Sequence, residues 1–468
     1  MGRRGRSTLC DEQSEARSGN GNVGLITEAT PISYNDDLPE RADVAVIGGG
    51  VIGVSSALYL AEAGLTVALF EKGRVAGEQS SRNWGWIRQL GRDDAEMPIM
   101  IEANRLWRGM ADRIGADVGF RAEGIIYLAE SEAACAAHEV HLATANRHQL
   151  TVERLSCAEV DGLIQGLPGF WEGGLRCPSD GRAEPWIAVP RMARALKDRG
   201  ASLHENCAVR ALDISAGRVS GVVTERGLVR ADAVLIAGGA WTSLFLEHHG
   251  IFFPQLSVRA TVARTARAPN VYGGGAADSA LAFRRREDGG YTLAFTDHLD
   301  FFLGRNAFRS AFYFAKSAWA SRRSIALRPA APPGYPDAWF TQRRWGEDDL
   351  SPFERMRVLH PTPTPGGTER MQKRMSERLP ALAGIPIVES WAGMIDTMPD
   401  TVPTMDSVPG FNGLWLASGF SGHGFGIGPA AGRIMADLIQ GRPAGHDLTR
   451  FRFDRFTDGS VIKLGPSI

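Results

Sequence analysis

The sequence predicts an α/β fold in two parts: a Rossmann-like nucleotide-binding domain assembled from separated segments, and an α+β second domain with a mixed or antiparallel sheet. Three observations predict it. An apolar strand, a glycine turn, a helix and a second apolar strand follow one another from 42 to 71. Apolar strands ending in glycines recur far along the chain, ADAVLIAGGAW at 231–241 and GLWLASGFSGHGFG at 413–426. Between them, from 251 to about 300, the pattern turns to alternating strands.

Taken in order, residues 1–40 are polar and Gly/Ser-rich and read as a flexible tail. ADVAVIG (42–48) is a buried strand, VSSALYLAEAG has helical spacing with a stop at Gly64, and TVALFE (66–71) is the next strand. Helical patterns cover roughly 95–115 and 131–148, a loop-rich stretch reaches about 180, and a helix lies near 187–199. ASLHENCAVRALDI is strand-like, and the strands FPQLSVRATVART, ALAFRRRED and GGYTLAFTD follow the run at 231–241. Helical material is expected to about 380, broken by RPAAPPGYP, before the final strand, glycine turn and helix. The expected division is 41–95, 172–250 and 387–445 for the nucleotide-binding domain, 96–171 and 251–386 for the second domain, and 446–468 as a C-terminal extension.

The bulk properties exclude several function classes. The 468 residues exceed one compact core. Fifty-two basic against 53 acidic residues leave a formal charge of −1, which argues against nucleic acid as the partner. The five cysteines have no CxxC spacing and the ten histidines form no ligand cluster, so no metal is expected and a reducing, cytoplasmic setting is the simplest reading. The arginines near the start lack the apolar run of an export signal, and no eighteen-residue apolar stretch predicts a transmembrane segment.

Gly48-Gly49-Gly50-Val51-Ile52-Gly53 satisfies GxGxxG between strand and helix. Gly48 permits the tight turn, Gly50 lets backbone approach a pyrophosphate, and Gly53 lets helix and strand pack closely. The helix N-terminus directs N–H groups at the phosphates. Glu71, at the end of the second strand, suits ribose hydroxyls and disfavours a 2′-phosphate.

Four stretches resemble the D-amino acid oxidase/sarcosine oxidase family of flavoenzymes. They are Glu71-Lys72-Gly73 with the loop Gly77-Glu78-Gln79-Ser80-Ser81-Arg82-Asn83-Trp84-Gly85; ADAVLIAGGAWTSLF; Glu389-Ser390-Trp391-Ala392-Gly393 with Asp396-Thr397-Met398-Pro399-Asp400; and Gly419-Phe420-Ser421-Gly422-His423-Gly424-Phe425-Gly426. The resemblance covers about 40–445 with the motifs in order, and it implies a discontinuous FAD-binding domain joined to a substrate domain. With the fingerprint, it gives a cofactor-binding set of Gly48, Gly50, Val51, Ile52, Gly53, Glu71, Lys72, Ser80, Ser81, Arg82, Asn83, Trp84, Gly85 and Trp86. Later in the chain the set continues with Val209, Ala237, Gly238, Gly239, Trp241, Gly393, Ser421, Gly422, His423, Gly424, Phe425, Gly426 and Ile427.

The activity implied is oxidation of the CH–N bond of a D-amino acid, an N-alkyl amino acid or a secondary amine to an imine, by hydride transfer to flavin N5. Arg88 falls where sarcosine-oxidase-like relatives place an active-site arginine, and an arginine grips both oxygens of a substrate carboxylate; Arg92 is a second candidate. His423 is the histidine expected beside the flavin, and Trp84 and Trp86 are either ring walls or core. Two departures stand out. Gly426 replaces the family's carboxylate-holding lysine, and Thr292, Thr296, Asp297 and His298 stand where relatives carry the lysine at which oxygen reacts. The acceptor is therefore O2, a quinone or an electron-carrier protein. Oxidation of a 2-hydroxy acid, and a FAD-bearing subunit of a hetero-oligomeric oxidase, are the alternative readings.

From Phe301 to Pro336 there is no acid, while Arg305, Arg309, Lys316, Arg322, Arg323 and Arg328 supply six positive charges. On a helix Phe308, Phe312, Ala315 and Trp319 share one stripe. Two readings follow: a cover helix whose aromatics pack on the sheet, or a docking surface at 305–323 for an electron acceptor or an anionic membrane face.

Overall fold

The computed structural model describes residues 24–465. Its first sheet has five parallel strands in the order Leu414–Ser418, Gly227–Ile236, Arg41–Ile47, Val67–Phe70, Ser202–His204. Arg41–Ile47 is buried on both faces, as a near-continuous apolar run requires in a parallel sheet. The order reverses beside it: the chain crosses to Val67–Phe70 on one side, while Gly227–Ile236 lies on the other. Turns at the carboxyl ends of the two adjacent strands therefore meet at a switch point, the usual crevice for a ligand in an open α/β sheet.

The second sheet has ten strands, mostly antiparallel, with parallel pairs at 275–277 beside 125–127 and 299–302 beside 325–328. Its longest pairing joins Leu256–Thr265 to Ile387–Thr397. The segment 387–397 had been expected with the nucleotide-binding domain, but its strand is hydrogen-bonded throughout to the second sheet. Gly173–Cys177, expected in the first unit, also pairs in the second sheet. Conversely the helix Met97–Arg108, expected with the second domain, buries Ile99, Met100, Ala103 and Trp107 in the core of the first. Sequence periodicity reports an element but not the sheet it joins, because that choice rests on contacts far away in the chain.

Two helices pack over the switch point. Gly424–Ile439 lies on Val51–Glu62 at a distance only glycine allows, since a Cβ on Gly432 would stand 2.6 Å from the Ser55 carbonyl carbon. Met97–Arg108 packs on the same C-terminal helix, and the buried Trp107 Nε1 donates to the Gly426 carbonyl at 2.9 Å.

Three further expectations change. Residues 24–40 are not a loose tail: Arg74 donates to the carbonyls of Thr30 and Glu28, and the Ser33 and Tyr34 N–H groups reach Glu205. Residues 1–23 of that expected tail lie outside the described residues. The helical expectation for 301–380 holds at Arg305–Arg309, Ala311–Ala320 and Gly367–Arg378, but Ile325–Arg328 is a strand and 329–351 has no helix or strand. Finally, the stripe of Phe308, Phe312 and Trp319 does not pack on the sheet but is exposed, and Tyr313 ties the helix to the core through Phe252 and Phe456. Among the described residues no helix is long and apolar enough to cross a membrane.

Candidate functional site

The glycine turn after the first strand is built by contact. A Cβ on Gly48 would lie 2.3 Å from the Ala237 carbonyl oxygen, and one on Gly53 would lie 2.0 Å from the Gly48 carbonyl oxygen. Only glycine closes both approaches, which brings Ala237-Gly238-Gly239 against Gly48–Gly50. The loop at 77–85 is pinned to the first helix because the Ser80 hydroxyl accepts the Val51 N–H at 2.8 Å. Glu71 accepts the N–H groups of Gly49 at 2.8 Å and Gly73 at 2.7 Å. Burial pushes its carboxyl up to about 7, against the pull of Lys72 and the two N–H groups.

A cleft of about 880 Å³ opens here, lined by Gly48, Gly50, Glu71, Lys72, Ser80, Val209, Ala237, Gly238, Gly239 and Trp241, with Glu78 and Gln79 among others. It continues past Gly50, Gln79, Ser80, Ala237 and Gly239 into a second space of about 570 Å³. That space is walled by Val51, Ile52, Asn83, Asp396, Gly422, Gly424 and Phe425. The two spaces form one elongated channel from Glu71 to the C-terminal glycine turn. At their seam the Gln79 Oε1 is buried with no partner among the described residues. An elongated channel with glycine backbone in its middle, a carboxylate at one end and an orphaned amide oxygen at the seam fits a dinucleotide.

Several residues singled out from sequence act as supports. Lys72 Nζ donates to Glu78 at 2.6 Å and to the carbonyls of Met356 and Arg357, and it sits 4.2 Å over the Trp241 ring. Arg82 is buried, donates to the carbonyls of Gly77 and Ala392, and is pulled down to about 10 by burial. Ser81 is buried beneath the same loop, donating weakly to the Glu78 carbonyl. The Asn83 side chain holds the Gly85 N–H at 2.8 Å. Trp84 and Trp86 meet edge to face at 5.3 Å, and the Trp86 ring packs in a cluster with Ile125, Val262 and Trp391; neither tryptophan lines the channel.

The C-terminal turn is set by Asp396, whose carboxylate accepts the Gly419 N–H at 2.7 Å and the Phe420 N–H at 3.3 Å; burial raises its pKa. Ser421 adopts φ 48° there, held by its N–H to the Asp396 carbonyl and by the Met398 N–H to its hydroxyl. Gly393 lies against the Gln79 side chain. Gly426 and Ile427 are buried inside the following helix.

Arg88, Arg92 and His423 come together behind the channel wall at Gly422 and Gly424, without lining either space themselves, and with them stands a fourth group the sequence did not reveal. His423 precedes Gly424–Ile439 and Glu96 precedes Met97–Arg108, so the packing of those helices apposes the two side chains. His423 Nδ1 lies 2.9 Å from Glu96 Oε2, both fully buried, while His423 Nε2 and Glu96 Oε1 have no hydrogen-bond partner among the described residues. Burial lowers the His423 pKa to about 4, with Arg92 acting the same way and Glu96 opposing. Burial alone would raise Glu96, but His423, Arg92 and Arg88 outweigh it and hold the carboxyl below its usual range. At neutral pH the pair is thus neutral imidazole and carboxylate, with Nδ1–H donating. Arg92 is 6% exposed, its Nε donates to the Arg88 carbonyl and its Nη1 has no partner among the described residues. Burial, then Arg88, pulls Arg92 down to about 9. Arg88 is half-buried and its Nη1 is committed to the Leu90 and Gly91 carbonyls and the Tyr127 hydroxyl.

Thr292, Thr296, Asp297 and His298 stay out of the channel: Thr292 bonds Arg284, Thr296 donates to the Asp278 carbonyl, Asp297 pairs with Arg374, and His298 lies 3.6 Å from Asp300. Among the described residues no group of three or more His, Cys, Asp or Glu is placed to hold a metal ion. The sequence singled out the loop that carries Glu78 and Gln79 but not those two residues as cofactor-binding, and it did not anticipate Glu96 or Tyr127. Glu96 had a faint signal, since Pro98 after Asp93-Asp94-Ala95-Glu96 marks a helix start with Glu96 at its edge.

Comparison with known proteins supplies the lineage. The FAD dependent oxidoreductase family model matches residues 43–438. Glycine oxidase of Pseudomonas aeruginosa is 27% identical over 411 residues, covering 85% of this chain and 95% of that protein. D-amino acid dehydrogenase of Paramagnetospirillum magneticum is 24% identical, covering 88% of this chain and 99% of that protein. Among solved structures, L-amino acid deaminase from Proteus myxofaciens superposes with a TM-score of 0.86 at 28% identity, over 92% of this chain and 97% of that one.

Proposed function

This chain belongs to the FAD dependent oxidoreductase family and takes FAD as cofactor, and from that premise we propose that it oxidises the CH–N bond of an amino acid, either a D-amino acid or an N-alkyl amino acid, to the imine. The observation that carries the reading is the buried Arg92, whose unpartnered Nη1 stands in one electrostatic cluster with Arg88, Glu96 and His423. A buried guanidinium with an unfilled donor is stabilised by a carboxylate, which the α-carboxyl of an amino acid supplies.

When bound, the flavin supplies the two-electron acceptor. Everything else falls to the chain. Glu71, the first helix N-terminus and the Ala237–Gly239 turn hold the dinucleotide, and Asp396 fixes the glycine turn at its far end. Arg92 orients the substrate carboxylate, with Arg88 and Tyr127 beside it. His423, neutral and held by Glu96, offers Nε2 as a proton acceptor for the substrate ammonium, because a neutral amine is required before its carbon can release hydride. Water then hydrolyses the imine to a carbonyl compound and ammonia or a primary amine. We assign the electrons to a quinone or an electron-carrier protein in preference to O2; the support is that Thr292, Thr296, Asp297 and His298 put no cation into the channel. Among the described residues Cys135, Cys157, Cys177 and Cys207 are free thiols, which supports a reducing, cytoplasmic setting.

Product analysis tests the assignment. Turnover should release ammonia or an amine in step with acceptor reduction, and Arg92→Ala should cut kcat/KM on the order of 100-fold with unchanged flavin content. Acceptor reduction driven by 2-hydroxy acids, with no nitrogen released from any amino acid, would overturn it.

A further inference from the structure

The helix Ala311–Ala320 reads AFYFAKSAWA and has no buried residue. Phe312 is 85% exposed and Trp319 71%, and Phe308, 64% exposed, meets the exposed Trp339 at 5.8 Å with the rings tilted by 40°. Phe312, Ala315 and Trp319 share the outer face, as their spacing requires. The inner face, with Ala311, Phe314, Ser317 and Ala318, roofs an open apolar cleft whose far wall includes Leu256, Val258 and Met398. The helix is anchored through Tyr313, half-buried against Phe252 and Phe456, while its outer apolar face has no protein cover among the described residues, as suits a helix lying against an apolar medium.

The charges around it point one way. The segment from Phe301 to Pro336 carries no acid. Arg305 and Arg309 are engaged by Glu247, and Arg328 by Asp300. Lys316, Arg322 and Arg323 are exposed, and among the described residues none has a carboxylate within 4 Å. Arg322 stands over the Trp319 ring at 4.4 Å, so cation and aromatic face the solvent together. Uncompensated cations rimming exposed Phe and Trp side chains complement an anionic, hydrocarbon-backed surface.

We propose that the face formed by 305–323 seats the enzyme on an anionic phospholipid surface, with Phe308, Phe312 and Trp319 entering the interface and Lys316, Arg322 and Arg323 meeting headgroup phosphates. The attachment is peripheral and does not depend on which substrate the channel takes, so it is measured without turnover. It places the apolar cleft next to the lipid, which is where a hydrophobic quinone would dissolve.

The test is co-sedimentation of the flavin-loaded full chain with vesicles of phosphatidylcholine alone or mixed with phosphatidylglycerol. Binding is expected to the mixed vesicles, not to the neutral ones, and to weaken with salt. The double variant Phe312→Ser/Trp319→Ser and the triple variant Lys316→Glu/Arg322→Glu/Arg323→Glu should each weaken partitioning, the triple on the order of 100-fold, at unchanged flavin content and thermal midpoint. Failure to pellet with anionic vesicles, or equal pelleting of wild type and both folded variants, overturns the proposal. So does a wild-type dimer that ignores lipid and becomes monomeric in the double variant, which would give the patch to a second copy of the chain.

Discussion

His423 and Glu96 lie 327 positions apart and meet at 2.9 Å in a buried contact. Glu96 fixes the imidazole so that Nδ1 carries the proton and Nε2 keeps its lone pair. Glu96→Gln removes the charge and lets an amide N–H donate to Nδ1, which forces the proton onto Nε2. We expect kcat to fall on the order of 100-fold or more with little change in KM or flavin content; unchanged kcat would remove His423 from the proton path. The residue scale also shows what a single sequence conveys. His423, Gly48 and Glu71 were legible because each sits inside a local motif whose spacing carries the chemistry. Glu96 and Glu78 were not, because each is defined by a distant partner: His423 for one, and Trp241 and Leu359 for the other. Arg88 was ranked above Arg92 from its place in the loop, yet Arg92 is the one whose buried donor has no partner among the described residues.

At the scale of elements, the channel depends on how closely two helices approach. Gly424–Ile439 and Val51–Glu62 both start at the cofactor channel, and Gly432 sets their separation against Ser55. Gly432→Leu forces the helices apart and should lower stability by about 1–3 kcal/mol, as overpacking does, while weakening FAD retention. A variant with wild-type melting temperature and full flavin content would show that this contact does not position the channel. The strand–turn–helix units were readable because local periodicity and glycine placement dictate them. The second-sheet membership of Ile387–Thr397 and Gly173–Cys177 was not, since pairing partners are chosen by long-range packing. The helix Ala311–Ala320 was readable as a helix, but its stripe looked like core because periodicity cannot tell an apolar face covered by protein from one covered by something else.

For the whole molecule, burial of histidines sets the pH dependence of stability. Burial lowers His141, His204 and His423 to about 4 and His249 to about 3, from an ordinary 6.5. In the unfolded chain these groups take up protons as pH falls below 6.5, while the folded protein keeps them neutral. Their contribution is therefore intact above 6.5 and is lost as pH falls toward about 4. Glu71, raised to about 7, and Asp337, raised to about 6, act with the opposite sign above their ordinary values, as do the raised Asp93, Asp180 and Asp396. The lowered histidines, which also include His138, His248, His298 and His360, outnumber them. The thermal midpoint should fall steadily from about pH 7 to about pH 4.5, and a flat or rising profile would contradict the burial that the structure shows.

The account rests on one channel holding FAD with its reactive ring beside Arg92 and His423. Anaerobic mixing of the purified, flavin-loaded protein with a panel of D-, L- and N-alkyl amino acids tests this most directly, read as loss of the yellow flavin absorption. The account predicts complete, saturable bleaching by at least one of them, and slower bleaching in Arg92→Ala at the same concentration. A protein that carries full flavin yet keeps its colour with every amino acid would contradict it.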